Sequence, residues 1–187
     1  KRELKAAVIG LGVGERHVEG YERDPRCKVI ALCDMDKDKL AEVGARHPGR
    51  HLTDQPDEIL SAPEIDLISI ASCDNAHKEQ IVKALANGKH VFVEKPLCLF
   101  QEELVEIVGQ LNANPFLKLS SNLILRKTPR FVELRKKIQA GELGEIYHLE
   151  GDYDYGRLHK LTEGWRGRIP HYSVTHGGAI HLIDLIL

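Results

Sequence analysis

Short apolar runs recur along the chain with helical segments between them, and this alternation constrains the fold more than any other feature. They cover residues 6–9 (Ala-Ala-Val-Ile), 29–33 (Val-Ile-Ala-Leu-Cys), 67–71 (Leu-Ile-Ser-Ile-Ala), 90–93 (His-Val-Phe-Val) and 116–119 (Phe-Leu-Lys-Leu). Nearly continuous runs of this length, with frequent β-branched residues, are what strands buried on both faces look like. Between them, Leu104, Ile107, Val108 and Leu111 follow the i, i+3, i+4, i+7 spacing of one helix face. Ile81, Val82 and Leu85 form another face after Asp74, the expected N-cap, and Asn87-Gly88 supplies the stop. Strand and helix alternating in this way predict a doubly wound parallel sheet.

The pattern changes after residue 120. Phe131, Leu134 and Ile138 mark a helix ended by Gly141. Over residues 146–155 the period becomes two, with Tyr147, Leu149, Gly151, Tyr153 and Tyr155 on one face and Ile146, His148, Glu150, Asp152 and Asp154 on the other. That predicts a half-exposed strand of a mixed or antiparallel sheet. Residues 1–120 are therefore read as one doubly wound α/β domain, and residues 121–187 as the start of an α+β domain. The chain starts at Lys1 without a methionine and stops at Leu187 inside an apolar helical pattern, so a piece of a longer protein is expected.

Charge excludes some partners. The 26 basic and 28 acidic residues are interspersed and give a net charge of −2. No basic tract offers a surface for nucleic acid or membrane, and no apolar stretch approaches the ~18 residues of a membrane span. Cys27, Cys33, Cys73 and Cys98 lie far apart and form no CxxC pair. With no signal peptide at the start, a reduced, cytoplasmic protein is expected. His171, His176 and His181 are spaced by five residues rather than by the i, i+4 step of a metal-binding helix face, so no metal site is expected.

Directly after the first apolar run stands Gly10-Leu-Gly12-Val-Gly14-Glu15. Glycines between a strand and a helix allow a tight turn and a close approach to a diphosphate. The usual spacing places the last glycine where Glu15 stands, so Glu15 must point away if the site works. Asp34 closes the second run, 20 residues past Gly14, where a carboxylate accepts from ribose hydroxyls. Met35 follows it rather than an arginine, which favours NAD over NADP. The lesser alternative makes Asp34 the N-cap of the helix that follows. Glu94-Lys95-Pro96 ends the run at 90–93, on the sheet edge where ligands bind. A lysine there can bring an ammonium to a substrate oxygen, although a charged pair is also what a solvated strand end would carry.

Together these residues resemble the Gfo/Idh/MocA family of nicotinamide-dependent sugar oxidoreductases. The resemblance rests on the glycine turn with His17, on Asp34, Asn75-Ala-His77, Gly88-Lys-His-Val-Phe-Val-Glu94-Lys95-Pro96, Asn122 with Arg126 and Pro129, Gly141-Glu-Leu-Gly144, and Gly177-Gly-Ala-Ile-His181-Leu-Ile-Asp184. It implies an N-terminal Rossmann domain followed by an α+β domain with an open-faced, largely antiparallel sheet, here incomplete. It implies cofactor contacts from Gly10, Gly12, Gly14, Asp34, Ser72, Asn75, His77, Glu94 and Lys95, with Lys95 and His181 catalytic. Asn122, Arg126, Trp165, Arg166, Tyr172 and His176 become substrate candidates. The implied activity is hydride transfer between NAD and a secondary hydroxyl of a sugar or nucleotide sugar, in a homo-oligomer, dimer or tetramer. An aspartate the family often carries four residues before the histidine is Gly177 here. That departure keeps open a non-catalytic dinucleotide-binding sensor.

Overall fold

The computed structural model describes residues 2–187 and divides the chain into two compact units, Lys1–Ser121 and Asn122–Leu187. The first is built on a parallel sheet of six strands: β1 (Leu4–Ile9), β2 (Cys27–Cys33), β3 (His51–Thr53), β4 (Leu67–Ile70), β5 (His90–Val93) and β6 (Leu119–Ser121). They lie in the order β3-β2-β1-β4-β5-β6. This is the doubly wound Rossmann arrangement, whose order reverses between β1 and β4. The helices of this unit are α1 (Glu15–Glu22), α2 (Lys37–Arg46), α3 (Pro56–Ser61), α4 (His77–Ala86) and α5 (Gln101–Ala113).

Side chains alternate across each strand, so β1 divides between two apolar layers. Ala7 and Ile9 join Ile68, Ile70, Val91 and Val93 beneath Ile59 and Leu60 of α3, Ile81, Ala84 and Leu85 of α4, and Ile107 of α5. Ala6 and Val8 join Val29 and Leu32 beneath Val18 of α1 and Leu40 and Val43 of α2. Both faces are covered, which explains why the strands read as unbroken apolar runs. Lys89 is also buried, and its Nζ donates to the carbonyls of Ala62 and Ile65, closing the loop after α3.

The sequence placed some elements incorrectly. The last strand is β6 at Leu119–Ser121, not residues 116–119, and Phe116 is 89% exposed. Pro115 sits in a turn in which the Leu117 N–H bonds to the Asn114 carbonyl, and this turns Phe116 outward. The short edge strand β3 and helix α3 carry too few apolar residues to announce themselves. Asp74 does not cap α4: it is buried at the start of a single 3₁₀ turn, Asp74–Ala76, and Ala76 is the N-cap without a side-chain bond.

The second unit holds α6 (Pro129–Gln139), α7 (His159–Thr162) and α8 (Ile180–Ile186), with 3₁₀ turns at Ile124–Lys127 and Arg166–Arg168 and a π-helical turn at Thr175–Ala179. Residues 146–155 form no strand. Strand order comes from ladder bonds to a neighbour, and among the described residues of this unit no other strand offers them. The predicted alternation is not seen in burial either, since Tyr147 is 95% and Leu149 54% exposed on the face expected to be covered, although Gly151 lies near Leu182 of α8 and the Tyr153 ring near Gly178.

Candidate functional site

The sheet brings the glycine turn and both charged strand ends to its carboxyl edge, at the point where strand order reverses. Gly10 follows β1 with φ +86°, and a Cβ there would lie 2.3 Å from the Ala71 carbonyl oxygen at the end of β4. A Cβ on Gly14 would lie 2.0 Å from the Gly10 oxygen, whereas one on Gly12 would meet nothing within 4 Å. Two of the glycines are thus demanded by the turn itself, and the third faces open space. Helix α1 follows Gly14, its N-cap, without a side-chain cap bond; the Arg16 and His17 amides bond back to the carbonyls of Val13 and Gly14, and the helix start faces the glycine turn.

Asp34 is held in place by this turn. Its Oδ2 accepts from the Leu11 N–H at 2.7 Å and its Oδ1 from the Asp36 N–H at 3.0 Å. The cap of α2 is Asp36 instead, accepting from the amides of Asp38 and Lys39. Glu15 turns away from the glycines: Arg46 grips it through Nε at 2.7 Å and Nη2 at 2.9 Å, and His47 Nε2 lies 3.3 Å away. The Arg46 guanidinium holds the Glu15 carboxyl below its ordinary range.

Beyond β4, Ser72 donates through its hydroxyl to Gln80 Oε1 at 2.7 Å. Asn75 is exposed in the 3₁₀ turn. His77 is fully buried, with Nδ1 2.7 Å from the Pro96 carbonyl oxygen and Nε2 3.2 Å from that of Ser72. It has no surface to offer a cofactor, so its part is to brace the two loops that carry Ser72 and Lys95. Lys95, in a cis peptide with Pro96, is partly buried. Glu94, on the same strand end, bonds through Oε1 to His17 Nε2 at 3.0 Å. Gln80 and Ser69 were missed by the sequence reading. The signal was a polar residue at a position that the periodicity buries: Gln80 falls beside Ile81, Ala84 and Leu85 on the inner face of α4, and Ser69 sits inside an apolar run.

In the second unit, several candidate substrate residues gather around one aromatic group. The Arg166 guanidinium lies over the Trp165 ring at 4.0 Å, and its Nε donates to the Tyr172 hydroxyl at 3.2 Å. Tyr172 meets Trp165 edge-on and stacks on His176, whose Nδ1 is 3.2 Å from Ser173 Oγ. Arg126 does not join them: it forms a bidentate pair with Asp184, at 2.6 and 2.8 Å from Nε, and the Asp184 side chain is only 5% exposed. Asn122 opens the unit and is partly buried. His181, on α8, is 8% exposed. Among the described residues no cluster of His, Cys, Asp and Glu is arranged to hold a metal, and no helix is long and apolar enough to cross a membrane.

A doubly wound sheet with a glycine turn at the order reversal and an acidic residue after the second strand defines the class of dinucleotide-binding domains. Residues 4–115 match the family described as oxidoreductases with an NAD-binding Rossmann fold, and the chain belongs to that Gfo/Idh/MocA family. It is 28% identical to the scyllo-inositol 2-dehydrogenase (NAD(+)) of Bacillus subtilis strain 168, over 81% of this chain and 44% of that protein. It is 30% identical to an uncharacterized oxidoreductase of Schizosaccharomyces pombe, over 97% of this chain and 50% of that one. The crystal structure of a myo-inositol 2-dehydrogenase from Lactobacillus plantarum superposes with a TM-score of 0.87 at 26% identity, covering 99% of this chain and 56% of that one. The chain therefore spans about half the length of the relatives it matches.

Proposed function

We propose that the protein is an NAD-dependent dehydrogenase acting on a secondary hydroxyl of a sugar, a nucleotide sugar or a cyclic polyol such as the inositols named for two of its relatives. The observation that carries this reading is the arrangement of the glycine turn, Asp34 and Glu94-Lys95 along one carboxyl edge of one sheet. The residues present fit a dinucleotide, since Gly12 leaves room for close approach, α1 starts uncapped, and Glu15 is turned aside. Bound there, NAD supplies the hydride acceptor.

The chain's own residues do the rest. The glycine turn and the positive end of α1 receive the diphosphate, and Asp34, oriented by Leu11 and Asp36, has lone pairs left for ribose hydroxyls. A 2′-phosphate would meet that carboxylate, which supports NAD over NADP. The Lys95 ammonium stabilises the alkoxide character that develops on the substrate oxygen. The resemblance gives His181 the role of general base. Where a carboxylate often stands in relatives, a Cβ on Gly177 would lie 3.4 Å from the Tyr172 hydroxyl, so that hydroxyl is the polar group in its place. The reading assigns the protein to the cytoplasm as a homo-oligomer. Gly177 is also what favours the second reading, a dinucleotide-binding sensor without turnover.

The deciding experiment screens inositols, sugars and nucleotide sugars for NAD reduction by the full-length protein, alongside Lys95→Ala. The expected result is turnover that Lys95→Ala abolishes while NAD affinity stays near wild type. His181→Ala should lose roughly 10²–10⁴-fold in kcat, the range for a positioned base. Normal turnover by Lys95→Ala would refute the catalytic assignment, and an inactive wild type would hand the site to the sensor reading. Titration of Asp34→Ala with both cofactors should show weaker NAD binding and a narrower preference over NADP; an unchanged ratio would remove Asp34 from cofactor choice.

A further inference from the structure

His17 ties the helix after the glycine turn to the strand end carrying Glu94 and Lys95. It leaves α1 in its first turn and crosses to β4 and β5, with only 9% of its side chain exposed. Its Nδ1 is 2.8 Å from Ser69 Oγ, its Nε2 is 3.0 Å from Glu94 Oε1, and its ring meets Phe92 edge-on at 5.3 Å. The Glu94 side chain is itself only 15% exposed. Ser69 is fully buried.

The donor and acceptor inventory gives this chain a direction. A carboxylate only accepts, so the bond to Glu94 requires a proton on Nε2. A neutral ring then presents a lone pair at Nδ1, which accepts from the Ser69 hydroxyl. Each member has the partner its chemistry needs. A chain of this kind, largely out of water, fixes orientation more firmly than exposed bonds would.

We propose that His17 is a positioning residue: its Nε2–H holds the Glu94 carboxylate and, through it, keeps the strand end bearing Lys95 in register with the glycine turn that opens α1. Its consequence for turnover rests on the dehydrogenase reading above, whereas the bond pattern does not. A lysine displaced by an ångström or so loses much of its effect on the reacting oxygen, because the benefit of a placed group depends on near-attack geometry.

Two amide replacements separate positioning from packing. His17→Gln puts a side-chain N–H close to where Nε2–H stood, facing Glu94. His17→Asn reaches only to the level of Nδ1, beside Ser69. In the full-length protein labelled with ¹³C-lysine, the Lys95 side-chain resonance, identified by its loss in Lys95→Ala, should stay in place in His17→Gln and move in His17→Asn. With a substrate in hand, His17→Asn should lower kcat about 10²-fold with KM and NAD affinity nearly unchanged, and His17→Gln should retain most of the rate. In ¹⁵N-histidine spectra of the wild type, the ring should carry its proton on Nε2. A ring protonated on Nδ1 alone, or a Lys95 resonance that moves equally in both variants or in neither, overturns the proposal. The spectroscopic measurements need no substrate, so a protein without turnover would defeat the dehydrogenase reading and still decide the role of His17.

Discussion

Gly10 and Gly12 stand two positions apart, yet a methyl group added to each should act on different things. At Gly10 it would strike the Ala71 carbonyl oxygen at 2.3 Å in a backbone with φ +86°, so Gly10→Ala should destabilise the fold by more than about 2 kcal/mol. At Gly12 it would meet no protein atom within 4 Å, so Gly12→Ala should leave the melting temperature unchanged while weakening NAD. Thermal melts with and without NAD measure both. A stable Gly10→Ala, or a Gly12→Ala that binds NAD as tightly as wild type, would contradict the division of labour drawn here. At this scale much was legible, because the demands are local: the turn needs glycine, and Asp34 ends its strand at the expected spacing. The partner of Glu15 was not legible. Arg46 lies on the next helix, 31 positions away, and only folding brings them together.

At the scale of elements, α1 and β2 carry groups whose titration should report on their packing. Burial pushes the Cys33 thiol on β2 from 9.0 up to about 12 and the Tyr21 phenol on α1 from 10.0 up to about 12. The folded state therefore favours their neutral forms. Their contribution to stability is present in full below the ordinary values and is lost as the pH rises through them toward about 12. Denaturant unfolding followed from neutral to strongly alkaline pH should show stability falling across that window. Tyr21→Phe should make the fall shallower above pH 10, the phenol's ordinary value; an equally steep fall would place the alkaline sensitivity elsewhere. Elements with long apolar periods were readable, as β5 shows, its bounds being those of its apolar run. Those that failed depend on neighbours: β6 is shifted by the turn at Pro115, and residues 146–155, without a strand beside them, form none and are exposed on both faces.

Across the whole chain, burial is unevenly shared between the two units. Every buried apolar side chain among the described residues lies between Ala6 and Ile107, whereas the second unit buries only Gly178 and His181. A piece comprising residues 1–121 should therefore unfold cooperatively on its own, and residues 122–187 alone should not, having too little apolar area to offset chain entropy. Circular dichroism melts of the two pieces test this; a sigmoidal melt from 122–187 would refute it. What the sequence by itself determined was the doubly wound plan, because periodicity and turn chemistry are properties of neighbouring residues. It also marked the residues at the sheet's carboxyl edge, because that plan brings every βα loop there. Only the tertiary structure decided that His77 is a buried brace, that Arg126 is held by Asp184, and that His17 joins Ser69 to Glu94. Each of these depends on which distant polar groups meet out of water, and a side chain's neighbours across the fold leave no periodic trace in the chain.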